Sequence, residues 1–421
     1  MKRWLFGLFA LLSVAFAQSK VTITFWYGLG GNLGQIVQQF VQRFNETHPN
    51  IEVKALYQGS YSGGGPEQQK ILAAIASGSV PDIAQMEANS LPPFANSGAL
   101  LPLETLMAQS GVKPSEFLPG MLLSGQWDGH QYAIPFNRSV PVLIYNTAMF
   151  KAAGLNPNDP PKTWPELAQD AMKLTHGSGS NKVYGFMPIV DWWFWESYTL
   201  SACGHILNAN RTQALFAQPA CLKPLEIQQD LVKQGYAQVI SGSNYWDGTI
   251  TAFAHGMTAM YPDSVADFST IEAQAVPSVK GQWRAAFMPT MPGHKLVVPP
   301  GGGNLVIFKN IPASHIKAAW TFILWAIQPE QQAWWSMHTG YMPVTKAAVQ
   351  TQVYQAYLKA NPNARVPLEE LNYQGAMPLN THYLQMLQAV QQGLQGVFDQ
   401  LQPPSTTMEQ VARRVDEMMS Q

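Results

Sequence analysis

The chain has 421 residues, of which 46% are apolar and 12% charged, against roughly 25% charged in ordinary globular proteins. Basic residues number 25 and acidic residues 26, for a net charge of −1. This balance, without any basic run, excludes the electrostatic footprint of a nucleic-acid binder, and the length suits two or three domains or one large bilobal protein.

Residues 1–17 pair Lys2 and Arg3 with an apolar run and end on Ala15-Phe16-Ala17. That is the pattern of a cleavable secretory signal peptide. The run is short for a membrane span, and no Cys at the cleavage point signals a lipid anchor. The expected mature protein is soluble and lies outside the cytoplasm. Val21 to Tyr27 then reads as a strand and Gln35 to Phe44 as a helix, with Gly28, Gly30, Gly31 and Gly34 between them. A dinucleotide fingerprint opens in this way. Here the spacing is G-x-G-x-x-x-G, one residue too long, so no nicotinamide or other cofactor is expected.

Strand and helix signals alternate onward. IEVKALY (51–57) and DIAQM (82–86) read as strands, and PEQQKILAAIASG (66–78) and LPPFANSG (91–98) as helices. This order predicts an α/β protein with a helix-covered parallel sheet. YAIPF (132–136) and VPVLIYN (140–146) follow almost back to back, as in a crossing between lobes. Then come a helix at 163–174, capped by Thr163 with Glu166 in the capping-box position, a strand over KVYGFMPI, helices at 221–235 and 247–256, and a strand at 257–261. A strand at 305–310 and a helix at 314–328 follow. Two terminal helices break at Pro403-Pro404.

Cys203 and Cys221 are the two cysteines. In an oxidising compartment they are a candidate disulfide, with two buried thiols as the competing reading. No metal site is expected, because neither CxxC nor HExxH occurs.

Several stretches stand in a telling order: FWYGLGGNLG, QRFNETHPNIEVKALYQGSY, SGSVPDIAQ, NSGALLPLETL, IPFNRSVPVLIYNTAMFKAAGLNPNDPPKTWPEL, DWWFW, GGGNLVIF and TGYMPVTKAA. With these the chain resembles the extracellular solute-binding proteins of ABC importers, over nearly its whole mature length. Within them it is most similar to the glycerol-3-phosphate-binding type. The resemblance implies a bilobal periplasmic-binding-protein fold of type II: two α/β lobes, a hinge and an interlobe ligand cleft. It implies a first lobe at 18–138 plus 301–344 and a second at 139–300 plus 345–421. The crossovers would fall near Asn137 to Pro141, Pro299 to Gly303 and Met342 to Thr345. The partners implied are a small-molecule ligand and the permease subunits of an ABC transporter, with the protein a monomer.

The resemblance also implies site residues, each with plain packing or a surface role as its competing reading. Tyr61 and Tyr341 match ligand-contacting tyrosines, Ser139 a crossover serine, and Gly302 a backbone N–H donor. Trp192 and Trp195 match an aromatic wall, with Trp193 and Phe194 crowding that assignment. Glu87 is the candidate for an acidic residue that orients hydroxyls, although it stands one position early. Tyr261 replaces a serine, with Asp263 and Ser264 close behind. The type's C-terminal phosphate-gripping arginine has no counterpart in MPLNTHYLQML. Arg138 is the substitute candidate and His382 a weaker one. The implied ligand is glycerol 3-phosphate or a glycerophosphodiester, with a neutral disaccharide or oligosaccharide as the alternative. An exported hydrolase is the remote one, as no GxSxG or HExxH is present.

Overall fold

A computed structural model describes residues 20–62, 65–375 and 380–420. The leader expected over 1–17 lies outside them. Strand β1 (Val21–Tyr27) buries Ile23, Phe25 and Tyr27 on one face, by simple alternation. The helix Gly31–Thr47 follows and buries Leu33, Ile36, Val37, Phe40, Val41 and Phe44. These stand at the three- and four-residue spacing of an amphipathic helix. β2 (Ile51–Tyr57) pairs with β1 in parallel, from Val21 opposite Ile51 to Tyr27 opposite Tyr57. β3 (Ile83–Glu87) pairs with β1 in parallel on its other side.

A short hairpin, β4 (Gln126–Trp127) and β5 (His130–Gln131), precedes β6 (Ala133–Ser139). β7 (Pro141–Asn146), β8 (Met260–Ser264), β9 (Trp283–Phe287) and β10 (Gly301–Ile307) complete the strands. They form two main sheets, ordered β2-β1-β3-β10-β6 and β8-β7-β9. β10 runs antiparallel to both β3 and β6. Only Val140 separates β6 in the first sheet from β7 in the second, so the chain passes from one sheet to the other there with no loop. This is a bilobal periplasmic-binding-protein architecture, and no helix among the described residues is long and apolar enough to cross a membrane.

Three expectations need correction. Residues 182–189 form no strand. They make isolated bridges, Tyr184 to Thr258 and Phe186 to Ala237. Gly185 presses against the helix Trp164–Leu174, where a Cβ would meet the Ala171 carbonyl oxygen at 2.0 Å, and Pro188 has no N–H for a ladder. The strand expected at 305–310 begins earlier, because the glycine run at 301–303 is itself paired with β6. The strand expected at 257–261 is displaced toward Ser264. The DWWFW run opens a helix, Trp192–Cys203, in which 11 residues are buried. Burial on every side erases the helical period that would have announced it.

The capping box of the helix Trp164–Leu174 is present. Glu166 N–H donates to Thr163 Oγ1 at 3.3 Å and Glu166 Oε2 accepts from Thr163 N–H at 3.0 Å. Cys203 and Cys221 are joined by a disulfide between residues 18 apart. Closing such a loop stabilises by about 3 kcal/mol. Paired Cys203→Ser and Cys221→Ser substitution is therefore expected to lower the chemical-denaturation midpoint by a matching amount. A reductant should lower the midpoint of the parent protein but not of the variant; equal midpoints without reductant would count against a stabilising bridge.

Candidate functional site

The glycine loop after β1 serves a side chain. A Cβ on Gly28 would lie 2.7 Å from the Tyr61 ring, so the bare backbone is what lets that ring seat against the loop. Gly28 N–H donates to Gln85 Oε1 at 3.0 Å. Gln85 Nε2 donates to Asn137 Oδ1 at 2.7 Å, and Asn137 Nδ2 donates to the Tyr61 hydroxyl at 3.3 Å. The Tyr61 and Tyr341 hydroxyls then meet at 3.5 Å. Tyr341 stacks on Trp335 at 5.9 Å. It follows Gly340, whose φ of +123° and close approach to the Val265 carbonyl leave no room for a side chain. Two tyrosines 280 positions apart are thus held by one buried relay. Asn32, in the same loop, reaches across the lobes and donates to Ser269 Oγ at 3.2 Å.

A second cluster sits beside it. Glu87, at the end of β3, accepts through Oε2 from Ser90 Oγ at 2.7 Å and from Gln68 Nε2 at 3.0 Å. Gln68 Nε2 also donates to the Tyr61 carbonyl at 2.6 Å, which ties the two clusters together. Glu67 occupies the first turn of the helix Pro66–Ser77, is fully buried, and neither of its oxygens has a protein partner. Glu196, on the helix Trp192–Cys203, is also fully buried. Its Oε1 accepts from the Tyr383 hydroxyl at 3.4 Å and its Oε2 has no partner. Burial pushes the Glu67 and Glu196 carboxyls well above the usual range, and the charge of Glu87 raises both further.

The aromatic wall is built from the second lobe. Trp192 meets Tyr383 edge-on at 6.3 Å. Trp193 stacks on Trp246 at 6.3 Å and lies so close to β10 that a Cβ on Gly301 would be 2.2 Å from its ring. The indole nitrogens of Trp192 and Trp193 are buried without partners. Trp195, expected in the wall, turns its ring edge-on to Phe216 at 5.1 Å. Tyr245 donates to Asp191 Oδ2 at 2.6 Å, and burial raises the Asp191 carboxyl to about 6. Trp246 Nε1 donates to Asp267 Oδ2 at 3.0 Å. Tyr261 is fully buried and donates to Asp263 Oδ2 at 2.5 Å, with Phe253 against its ring at 4.8 Å. Ser264 Oγ is occupied by the N–H of Ala266.

The crossovers hold the remaining candidates. Ser139 ends β6 opposite Gly301, and Gly302 lies opposite Arg138 with a φ of +84°. The Gly302 carbonyl accepts from Ala88 N–H at 2.9 Å. Arg138 is the one buried Lys or Arg among the described residues. Its Nη1 reaches Asn304 Oδ1 at 3.5 Å, and burial lowers its pKa to about 10. His382 directs its backbone N–H to Asn380 Oδ1, at the start of the helix Tyr383–Asp399. Sequence reasoning missed Glu67, Gln68, Asn137, Glu196 and Tyr383. A signal existed for one of them: Glu196 is the lone charge inside the apolar run WWFWESYTL.

Comparison with known proteins agrees with this architecture. The profile of the family described as bacterial extracellular solute-binding protein matches residues 39–362. The sn-glycerol-3-phosphate-binding periplasmic protein UgpB of Pectobacterium atrosepticum is 28% identical over 388 residues, covering 88% of this chain and 83% of that one. UgpB from Mycobacterium tuberculosis, solved in complex with glycerophosphocholine, superposes with a TM-score of 0.82 at 25% identity, over 96% of this chain and 99% of that one. A solute-binding protein of an ABC transporter from Thermotoga lettingae, bound with α-D-tagatose, has a TM-score of 0.83 at 24% identity, over 95% and 100% of the two chains, and supports the fold. With a profile match over most of its length and two lobes meeting at a buried polar and aromatic cluster, the chain belongs to the bacterial extracellular solute-binding proteins.

Proposed function

We propose that the chain captures a glycerophosphodiester between its lobes and hands it, unchanged, to the permease of an ABC transporter in the cell envelope. The observation that carries this reading is the interlobe cluster of tyrosine hydroxyls, carboxyls and tryptophan faces. Hydroxyls of a glycerol or sugar unit match Tyr61, Tyr341 and Glu87, and its C–H surface matches the indole faces. The relatives' printed ligands support the same class. A phosphodiester fits better than the monoester glycerol 3-phosphate, because it brings one negative charge rather than nearly two among buried carboxyls. Arg138, the substitute phosphate grip, reaches Asn304 through Nη1 at 3.5 Å and keeps a buried Nη2 without a partner, so it is the one cation there for a single phosphodiester charge. The second reading, a neutral disaccharide or oligosaccharide, is favoured by the same scarcity of cations.

The lobe limits and hinges proposed are those implied by the sequence, at Asn137 to Pro141, Pro299 to Gly303 and Met342 to Thr345. Capture works by closure: the ligand binds the closed form more tightly and shifts the population toward it. Calorimetry with glycerol 3-phosphate, glycerophosphocholine, maltose and trehalose, joined to small-angle scattering, tests this. The expected result is saturable binding of glycerophosphocholine with a smaller radius of gyration. Binding of none of the four, or chemical turnover of the ligand without compaction, would overturn the reading.

A further inference from the structure

We propose that Glu67, Glu87 and Glu196 together form a receptor for a cationic nitrogen, so that the captured solute carries an ammonium group, primary or quaternary. This rests on the interlobe cleft being the solute site and extends that reading to the ligand's charge. The three carboxyls come from the first turn of the helix Pro66–Ser77, the end of β3, and the helix Trp192–Cys203. Two belong to the first sheet's side and one to the second's, so the trio is assembled only when the lobes meet. All three are buried, with exposures of 0%, 5% and 0%.

Three of their oxygens, both of Glu67 and Oε2 of Glu196, have no protein partner. Among the described residues, no cation acts on these oxygens. The charge acting on Glu67 and Glu196 is that of Glu87, and Arg138, whose Nη2 is itself unpartnered, acts on Tyr61 and on neither of them. The other groups facing the trio are Gln68, Ser90, Tyr61, Tyr245 and Tyr383, with Asp191 behind Tyr245. None of them is basic. Ionised together without a counter-ion, the three carboxyls would be among the costliest arrangements a protein can keep. Acceptors for ligand hydroxyls do not require three of them. A ligand cation supplies the missing charge, and the ring faces of Trp192 and Tyr383 beside Glu196 add cation–π attraction.

The arrangement has a proton signature. Without the ligand, burial and repulsion from Glu87 favour the protonated forms of Glu67 and Glu196. An ammonium group stabilises the ionised forms, so its binding must release protons at neutral pH, whereas a neutral or anionic ligand has no reason to do so.

The experiment titrates the purified protein with glycerophosphocholine, glycerophosphoethanolamine and glycerophosphoglycerol, which share the phosphodiester and differ in the ammonium. Calorimetry is run in two buffers of unlike ionisation enthalpy. The first two are expected to bind at least tenfold more tightly than the third and to release protons that the third does not. Whichever of the two is tighter tells a quaternary from a primary ammonium source. Glu67→Gln and Glu196→Gln are each expected to remove at least tenfold in glycerophosphocholine affinity and little for glycerophosphoglycerol, without lowering the melting temperature of the ligand-free protein. Equal affinity for all three phosphodiesters overturns the ammonium receptor and leaves the phosphodiester reading standing. If none binds but trehalose does, the phosphodiester reading falls, and trehalose against its amino-substituted analogue decides the receptor, equal affinity overturning it. Binding of no titrant overturns both.

Discussion

Gly302→Ala is expected to lower the melting temperature by roughly 3–4 °C, on a cost of about 3 kcal/mol for a chain of this length. Two independent effects add. The backbone at Gly302 has a φ of +84°, where an L side chain is strained by about 1–3 kcal/mol. A Cβ there would also stand 1.8 Å from the Asn137 carbonyl oxygen and 3.1 Å from the Arg138 Cα. Relief requires β10 to move off β6, where the ladder register already shifts between Gly303 and Asn304. The Gly302 carbonyl that accepts from Ala88 N–H would move with it. Gly281→Ala is the control. Its φ of +69° carries the same kind of strain, but nothing lies within 4 Å of the added methyl. Thermal unfolding of the two variants separates strain from close approach. If Gly302→Ala melts with Gly281→Ala, the close approach has no energetic weight.

The same position shows what a sequence conveys and what it withholds. Three glycines in a row read as a turn, because glycine is the residue of turns. In the fold they are a strand, made bare so that Trp193, Asn137 and the β6 backbone can come near. The alternating strands and amphipathic helices of the first 150 residues were legible, because each buries one face and so prints its period on the sequence. The helix Trp192–Cys203 was not, since it is buried all round. For the candidate site, resemblance in short motifs singled out the tyrosines and Glu87. It did not single out Glu67 and Glu196, because their burial arises only when distant segments meet, and a solitary glutamate on a helix reads as a solvated side chain.

The position of the tryptophans separates two roles that their spacing had joined. Trp195 is 1% exposed and packs edge-on against Phe216, a few residues before Cys221. Trp195→Ala is therefore expected to cost about 3–5 kcal/mol of stability, the usual range for emptying a buried tryptophan site. Where the variant remains folded, its ligand affinity should stay within about threefold of the parent, since the lost ring packs against Phe216. Trp193→Ala is expected to do the reverse. Its ring bridges Trp246, on the helix Tyr245–Ala254, and the bare backbone of Gly301 in β10. Its removal opens the contact between lobes on which closure rests. A loss of about 2–3 kcal/mol of binding corresponds to roughly 30–150-fold in Kd, with a smaller loss of stability because the ring lies at the junction of the two lobes. Denaturant titration and calorimetry on both variants read the two quantities separately. A Trp195→Ala protein that keeps its stability and loses its ligand would return Trp195 to the aromatic wall and remove Trp193 from it.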